Sequence, residues 1–119
     1  MDTYRQLPVW QKAMELAELV YRRTERFPDH ERGGIALQLR QTALAIPYQV
    51  AIAPMDSAPK FLRRLRRVSR MLKQLEIEVL LAGRLHCWRA MHLDQLRCQI
   101  EELNLLLDAF FQTLAPNGM

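Results

Sequence analysis

The stretch KFLRRLRRVSRMLK, residues 60–73, decides the fold because it carries two patterns on one predicted helix. Its apolar residues, continued through the following turns, recur at steps of 4, 3, 4, 3 and 4. This is the spacing of one face of an α-helix. The stripe consists of Phe61, Leu65, Val68, Leu72, Leu75 and Val79. The opposite face is positively charged, so the pattern predicts an amphipathic helix with one side packed in a core.

Seven cations occupy this stretch, and no acidic residue lies between Ser57 and Leu75. They are Lys60, Arg63, Arg64, Arg66, Arg67, Arg70 and Lys73. The whole chain has a formal charge of +4, so the rest of it sums to −3 and the basic character is local. One interpretation is a solvated face whose arginine stems cover apolar surface. The interpretation we favour is a surface that binds phosphate, because guanidinium groups bind phosphate in a bidentate way.

The length of 119 residues indicates a single domain, residues 1–119, large enough to bury a core. Half of the residues are hydrophobic and a quarter are charged, with only 4 glycines and 8% aromatic residues. This composition favours helix over strand. The sequence contains no apolar run long enough to span a membrane and no signal-peptide pattern. We therefore expect a cytoplasmic protein that makes no membrane contact.

Four amphipathic segments with short connections predict an all-α fold, an antiparallel up-and-down four-helix bundle. The helices are expected at about residues 8–27, 31–53, 58–85 and 92–114. The first should end at Phe27, because Pro28 disfavours helical geometry in the residue before it. Pro47 should kink the second helix or mark a local break.

The second predicted helix is apolar on every side. Between Gly33 and Met55 the only charged residue is Arg40. A bundle of four helices cannot bury every side of one of them, so we expect this helix to face a core on one side and another subunit on the other. The outer stripe of the third helix also changes, from arginines to Ile77 and Leu81, which is a second indication of assembly. The residues expected at the oligomer interface are Leu37, Leu44, Ile52, Ile77 and Leu81.

The chain lacks the motifs that would nominate a catalytic or metal site. It contains no Glu-x-x-His pair for a di-iron centre, no glycine-rich phosphate loop, no G-x-S-x-G and no H-E-x-x-H. Cys87 and Cys98 are expected to be free thiols. With His86 and His92 they lack the C-x2-C spacing of a credible zinc site. We expect no enzymatic activity, no cofactor and no metal.

A series of short motifs runs through the first three predicted helices. It comprises LPVWQKAMELA (residues 7–17), Val20-Tyr21, Thr24, Phe27-Pro28, Glu31, Gln38-Leu39-Arg40, Ala45-Ile46-Pro47, Leu75-Glu76 and Leu80-Leu81-Ala82. In this order the motifs resemble the four-helix-bundle family encoded in intervening sequences of bacterial 23S ribosomal RNA genes. That family is related to the accessory variability protein of diversity-generating retroelements. Two segments depart from the family pattern: residues 48–53 lack the usual S-N-I-A-E-G, and Leu85-His86-Cys87 replaces a Leu-Gly-aromatic turn.

The resemblance implies a homo-oligomer, a ring of five bundles, and an association with RNA or with a reverse-transcription complex. Our first hypothesis is a non-catalytic homo-oligomer whose seven cations bind nucleic acid, RNA or DNA, through phosphate contacts. Phe61 is the only aromatic residue of the basic stretch and is expected in the core. We therefore expect little sequence specificity and a preference for structured RNA. The alternative is a protein-interaction scaffold, in which the arginines contact an acidic partner protein or acids of a neighbouring subunit, such as Glu101 and Glu102.

Overall fold

A computed structural model of the chain describes residues 3–114. Within them the chain forms four helices, α1 (Pro8–Thr24), α2 (Leu37–Ala51), α3 (Ala58–Arg84) and α4 (Ala90–Leu114). Each helix packs against its neighbours in the chain, and α1 also packs against α4. The predicted all-α, antiparallel up-and-down four-helix bundle is therefore confirmed. Residues 1, 2 and 115–119 of the predicted domain lie outside the described residues.

The stripe predicted from residues 60–79 forms the buried side of α3. Phe61 is 6% exposed, and the other five residues of the stripe are fully buried. They pack in one core cluster with apolar residues of the other three helices, such as Leu16, Ile46 and Leu103. Burial of one leucine side chain contributes about 1.5–3 kcal/mol. This stripe therefore determines which side of α3 faces inward.

The first helix begins at Pro8, which suits the first turn because proline has no N–H to leave unsatisfied there. It ends at Thr24 rather than at the predicted Phe27. The Thr24 hydroxyl donates a hydrogen bond to the Val20 carbonyl at 2.8 Å. The Phe27 N–H then donates to the Thr24 carbonyl at 3.1 Å. The chain therefore turns before Pro28, and Phe27 is buried under the turn rather than carried on the helix.

The segment predicted as one helix over residues 31–53 is divided in the structure. A single helical turn, Asp29–Glu31, is followed by a π-helical segment, Arg32–Ala36, and then by α2. Two glycines, Gly33 and Gly34, lie in the π-helical segment, where their low helix propensity weakens the start of the helix. By contrast, α2 continues through Pro47 to Ala51. A local break, one of the two expectations for this proline, does not occur, and Pro47 is buried within the helix. The other expectation, a kink, stays a prediction.

The end of α3 is a Schellman motif with His86 in the left-handed position. The φ angle of His86 is 62°. Its N–H donates to the Gly83 carbonyl at 3.0 Å, and the Cys87 N–H donates to the Ala82 carbonyl at 2.9 Å. Glycine is usual at this position, because the left-handed conformation costs other residues about 1–2 kcal/mol. The motif turns the chain so that Trp88 is buried and its Nε1 donates to the Val79 carbonyl at 2.9 Å.

The bundle is elongated, with principal extents of 45 × 28 × 19 Å. Its longest helix, α3, has 27 residues and spans about 40 Å at 1.5 Å per residue. The outer side of α3 therefore presents a long surface to solvent. Among residues 3–114, no helix is both long and apolar enough to cross a lipid bilayer.

Candidate nucleic-acid interface

The N-terminal half of α3 carries a shallow basic pocket. Its lining cations are Lys60, Arg63, Arg64 and Arg67, and Pro54 of the α2–α3 loop completes it. The pocket has a volume of about 180 Å³. Residues three or four apart lie on one side of a helix, so the spacing of these cations brings them to one place. We refer to this site as the α3 basic pocket.

The cations of this half of α3 differ in how the fold holds them. Arg64 is half-buried, and its Nη1 donates to Oε1 of Gln49 in α2 at 2.7 Å. Lys60, Arg63, Arg67 and Arg70 are exposed. In the part of the chain that the structure describes, none of these four has a hydrogen-bond or ion-pair partner. Their charge is therefore not neutralised locally, and a dense, uncompensated positive surface attracts anions.

Arg66 and Lys73 do not line the basic pocket and contact other groups instead. The guanidinium carbon of Arg66 lies 5.6 Å from the centre of the Phe111 ring of α4, a cation–π contact. Lys73 Nζ lies 3.0 Å from Oε1 of Glu76. Lys73 follows Arg64 by nine positions, which is about 180° around a helix of 3.6 residues per turn. The structure thus brings together Lys60, Arg63, Arg64 and Arg67, with Arg70 one turn further along, and holds the remaining two predicted site residues apart from them.

The acids of α4 do not neutralise the basic half of α3 within the described part of the chain. Oε1 of Glu102 lies 3.6 Å from Nζ of Lys12 in α1. Exposed pairs of this kind contribute only about 0–1 kcal/mol. Glu101 and Asp108 are exposed on α4. Within residues 3–114 we find no ion pair between these acids and the basic half of α3. A pairing between subunits remains a prediction.

The five residues predicted at an oligomer interface are all exposed in the single chain. Their exposed fractions run from 44% for Ile52 to 60% for Ile77. Tyr48, which is 60% exposed, follows Leu44 by one turn and extends the apolar outer side of α2. On α3, Ile77 and Leu81 are one turn apart. The single chain therefore leaves apolar strips uncovered on two neighbouring helices, and uncovered apolar surface of this kind marks interaction sites.

Beside these strips, the contact between α2 and α3 holds a buried carboxylate that the sequence analysis missed. Glu78 is 8% exposed. Its Oε2 accepts hydrogen bonds from Gln38 Nε2, Thr42 Oγ1 and Gln74 Nε2, each at 3.1 Å. Its Oε1 is buried with no hydrogen-bond partner among the described residues. The available signal was the pair of polar residues Gln38 and Thr42, one turn apart in a helix whose only charged residue is Arg40.

Both cysteines are free thiols, as expected. Burial, together with the carboxylate of Glu31, raises the pKa of the Cys87 thiol. A raised pKa keeps the thiol protonated near neutral pH and therefore unreactive. Across residues 3–114, the structure brings together no group of three or more His, Cys, Asp or Glu side chains that could hold a metal ion.

These features define a class of small helical-bundle protein that has a basic pocket and an uncovered apolar surface on the outer side of one long helix. The chain belongs to the 23S rRNA-intervening sequence protein family, whose model matches residues 5–109. The resemblance drawn from the sequence motifs is thereby confirmed. The matched region contains α1, α2, α3 and most of α4, so the basic pocket and the apolar strips both lie within it. No curated protein matches the chain.

Proposed function

We propose that the chain is a non-catalytic homo-oligomer that binds structured RNA through phosphate contacts. The observation that carries this proposal is the α3 basic pocket, whose exposed members have no partner among the described residues. Contacts to phosphate provide affinity and position without reading base identity. The family description links its members to intervening sequences of 23S rRNA, which is consistent with RNA as the ligand.

The preference for structured RNA follows from what surrounds the pocket. Binding of single strands relies on aromatic side chains that stack on bases. Phe61 is the only aromatic residue of the basic stretch, and it is buried in the core. Tyr48 is exposed, but it lies on the apolar outer side of α2 that we assign to assembly. A pocket that offers cationic side chains alone suits the phosphates of a folded RNA.

Assembly would multiply the effect of one shallow pocket. We propose that a neighbouring subunit covers the apolar outer strips of α2 and α3, and that the assembly is the ring of five implied by the family resemblance. A specific interface of this kind buries at least about 1,000 Å². Repeating the pocket around a ring raises the overall affinity without any new type of contact.

The test measures fluorescence anisotropy of a labelled RNA hairpin over a range of salt concentrations. The variant Arg63→Gln/Arg67→Gln removes two exposed cations of the pocket. We expect it to bind at least about 10-fold more weakly at low salt, with a salt slope reduced by about 1 for each phosphate that is no longer neutralised. The matched control is Arg84→Gln/Arg97→Gln, which removes two exposed arginines outside the pocket. Equally weakened binding in the two variants, or unchanged binding by the pocket variant, would refute the proposal.

The second candidate function is a protein-interaction scaffold. It is favoured by the exposed acids Glu101 and Asp108 of α4, which have no ion-pair partner among residues 3–114 and could contact arginines of a neighbouring subunit. In that case the arginines of α3 would hold the assembly together or bind an acidic partner protein. The same pocket variant would then lower the oligomeric mass, and RNA would have no effect on the wild type. Light scattering coupled to size exclusion separates the two functions.

A further inference from the structure

A second basic pocket lies at the other end of the bundle from the α3 basic pocket. It is formed where the end of α1 meets the start of α4. Its lining residues are Arg22, Arg23, Glu25, Arg26, Cys87, Trp88, Arg89, Met91 and His92. Four guanidinium groups thus face one carboxylate. The volume of about 710 Å³ is far larger than that of the α3 basic pocket and lies in the range of about 300–1,000 Å³ that is usual for small-molecule sites.

The four arginines fall into two pairs. Arg23 is fixed, because its Nε and Nη2 donate to Oε1 of Gln95 in α4 at 3.2 and 2.8 Å. Arg22 is held by an ion pair of 2.8 Å with Glu18. Arg26 and Arg89 are exposed. Neither of these two has a hydrogen-bond or ion-pair partner within the described part of the chain. One pair therefore shapes the wall, and the other is available to a ligand.

Trp88, one of the residues that line the pocket, is held by contacts with the core. Trp88 is 9% exposed, and its ring meets Phe27 edge-on with centroids 4.6 Å apart. Its Nε1 is bonded to the Val79 carbonyl. Met91 and His92 belong to the first turn of α4, whose backbone N–H groups carry the positive end of the helix dipole. The start of α4 thus favours an anion at the same place as the arginines.

The imidazole of His92 lines the same pocket as the arginines. Burial lowers the pKa of His92, and the charges of Arg23, Arg89 and Arg26 lower it further. These arginines come from two segments that are far apart in the chain. They nevertheless line the same pocket as His92, so they surround a common space. Near neutral pH, His92 is therefore an uncharged group that can donate or accept one hydrogen bond.

We propose that this pocket binds a short phosphate chain, a di- or triphosphate, either free or at the 5′ end of an RNA strand. Guanidinium groups bind phosphate oxygens in a bidentate way, and Arg26 and Arg89 can each take one phosphate group. A structural role as basic residues at the end of α1 would account for Arg22 and Arg23, since cations stabilise a helix C-terminus. It does not account for Arg89, which precedes α4. The inference is independent of RNA binding at the α3 basic pocket.

The test is isothermal titration of the full chain with sodium tripolyphosphate at low salt. We expect saturable binding that weakens at least about 10-fold in Arg26→Gln/Arg89→Gln, because this variant removes two charge-assisted hydrogen-bond donors. The matched control, Arg84→Gln/Arg97→Gln, removes the same charge from exposed positions outside both basic pockets and should stay within about 2-fold of the wild type. Both variants alter exposed side chains, so neither should disturb the fold.

The NMR signal of the His92 imidazole gives a second readout. Tripolyphosphate should shift it in the wild type and in the control, but not in Arg26→Gln/Arg89→Gln. The absence of saturable binding, equally weakened binding in both variants, or an unmoved His92 signal would each overturn the proposal. Such a failure would leave the RNA proposal standing, because that one is measured through Arg63 and Arg67.

Two RNA oligonucleotides of the same sequence distinguish a free polyphosphate from the 5′ end of an RNA strand as the ligand. One carries a 5′-triphosphate and the other a 5′-hydroxyl, and both are titrated into the Arg63→Gln/Arg67→Gln variant. A gain in affinity from the triphosphate, abolished by further substitution of Arg26 and Arg89, supports a strand end as the ligand. Binding of free tripolyphosphate without any gain from the RNA end supports a soluble polyphosphate.

Discussion

The two halves of α3 share one inner side and differ on the outer side. The inner stripe from Phe61 to Val79 is buried along its whole length. The outer side exposes Arg63, Arg67 and Arg70 in the first half, and Ile77 and Leu81 in the second. Packing in the core therefore requires apolar residues along the whole inner side. The outer side is not constrained by packing, so its residues can change from basic to apolar along the helix. The inner side of α3 therefore determines how the helix packs, and the proposed binding and assembly surfaces lie on its outer side.

The basic and the apolar residues of the outer side form one continuous stripe along α3. From Arg63 the outer positions recur at steps of 4, 3, 4, 3 and 4 to Leu81, with Gln74 at the boundary. A subunit that covered Ile77 and Leu81 would therefore lie directly beside Arg70. We propose that this continuity couples assembly to the binding of phosphate.

The largest expected effect comes from breaking the inner stripe. Leu72→Ala should lower the free energy of unfolding by about 2–5 kcal/mol, because it leaves a cavity in the core. Urea denaturation followed by circular dichroism measures the decrease. The matched control is Ile77→Ala, measured where the protein is monomeric, which should stay within about 0.5 kcal/mol of the wild type because the side chain is already exposed. A similar decrease in both variants would contradict the division into inner and outer sides.

The next effect tests the apolar outer half. Ile77→Glu would bury an unpaired carboxylate in the proposed subunit interface. It should make the free energy of association less favourable by about 2–4 kcal/mol. Light scattering coupled to size exclusion should then record a smaller particle with unchanged helical content. Leu105→Glu is the control, since Leu105 of α4 is 61% exposed and lies outside the proposed interface. If the oligomeric mass were unchanged in Ile77→Glu, Ile77 would not lie in a subunit interface, and the apolar outer half of α3 would have no role in assembly.

A smaller effect is expected at the contact between α2 and α3. Glu78→Ala should cost about 1–3 kcal/mol of unfolding free energy, because Gln38, Thr42 and Gln74 lose their common acceptor. Glu78→Gln keeps one acceptor oxygen and should cost less. Thermal and urea unfolding of the two variants measure the difference. If Glu78→Ala unfolded no more easily than the wild type, the cluster would have no part in setting the register of these helices.

A gain in stability is expected at the end of α3. His86→Gly should raise the free energy of unfolding by about 0.5–1 kcal/mol, because glycine adopts the left-handed conformation without strain. Part of the gain is offset by the greater freedom of glycine in the unfolded chain. The change lies outside both halves of the outer stripe, so RNA binding and oligomeric mass should stay as in the wild type. A destabilised His86→Gly protein would show that the histidine side chain has a packing role.

The smallest effect is a pH dependence at the α1–α4 end of the bundle. The pKa of His92 is lowered in the folded state, so the unfolded chain binds this proton more readily. The contribution of His92 to stability is therefore full above its ordinary pKa of 6.5 and is lost as the pH falls below that value. His92→Gln should lose less stability than the wild type between neutral and acidic pH. Identical pH profiles for the two proteins would contradict the convergence of arginines on this ring.

The fold and the family could be predicted from the sequence, because both rest on local regularities. The 3–4 spacing from Phe61 to Val79 is visible in one segment, and the family motifs are short and ordered. The division of the second predicted helix into a helical turn, a π-helical segment and α2 was harder to predict from the sequence. Pro47 was expected to kink or break the second helix, whereas the observed irregularity falls at Gly33 and Gly34, where weak helix propensity is not compensated by packing.

The candidate sites were only partly predictable, because they depend on contacts between segments far apart in the chain. Seven cations in one stretch suggested one surface, but Arg66 contacts the Phe111 ring and Lys73 pairs with Glu76, and neither lines the basic pocket. Glu78 is buried only because Gln38 and Thr42 of α2 supply donors. Likewise, the second basic pocket forms where the arginines at the end of α1 lie close to Arg89 before α4. The residue spacing within either segment does not indicate that the two segments are in contact.

The most direct test of the two-sided account of α3 compares oligomeric mass and RNA binding in one experiment. Light scattering coupled to size exclusion is run on the wild type and on Arg63→Gln/Arg67→Gln/Arg70→Gln, with and without an RNA hairpin, at low and high salt. We predict that both proteins are oligomers of equal mass and that RNA shifts the wild type alone, at low salt alone. A variant that falls to a smaller mass, with a wild type that RNA never shifts, would contradict this and assign the arginines to assembly.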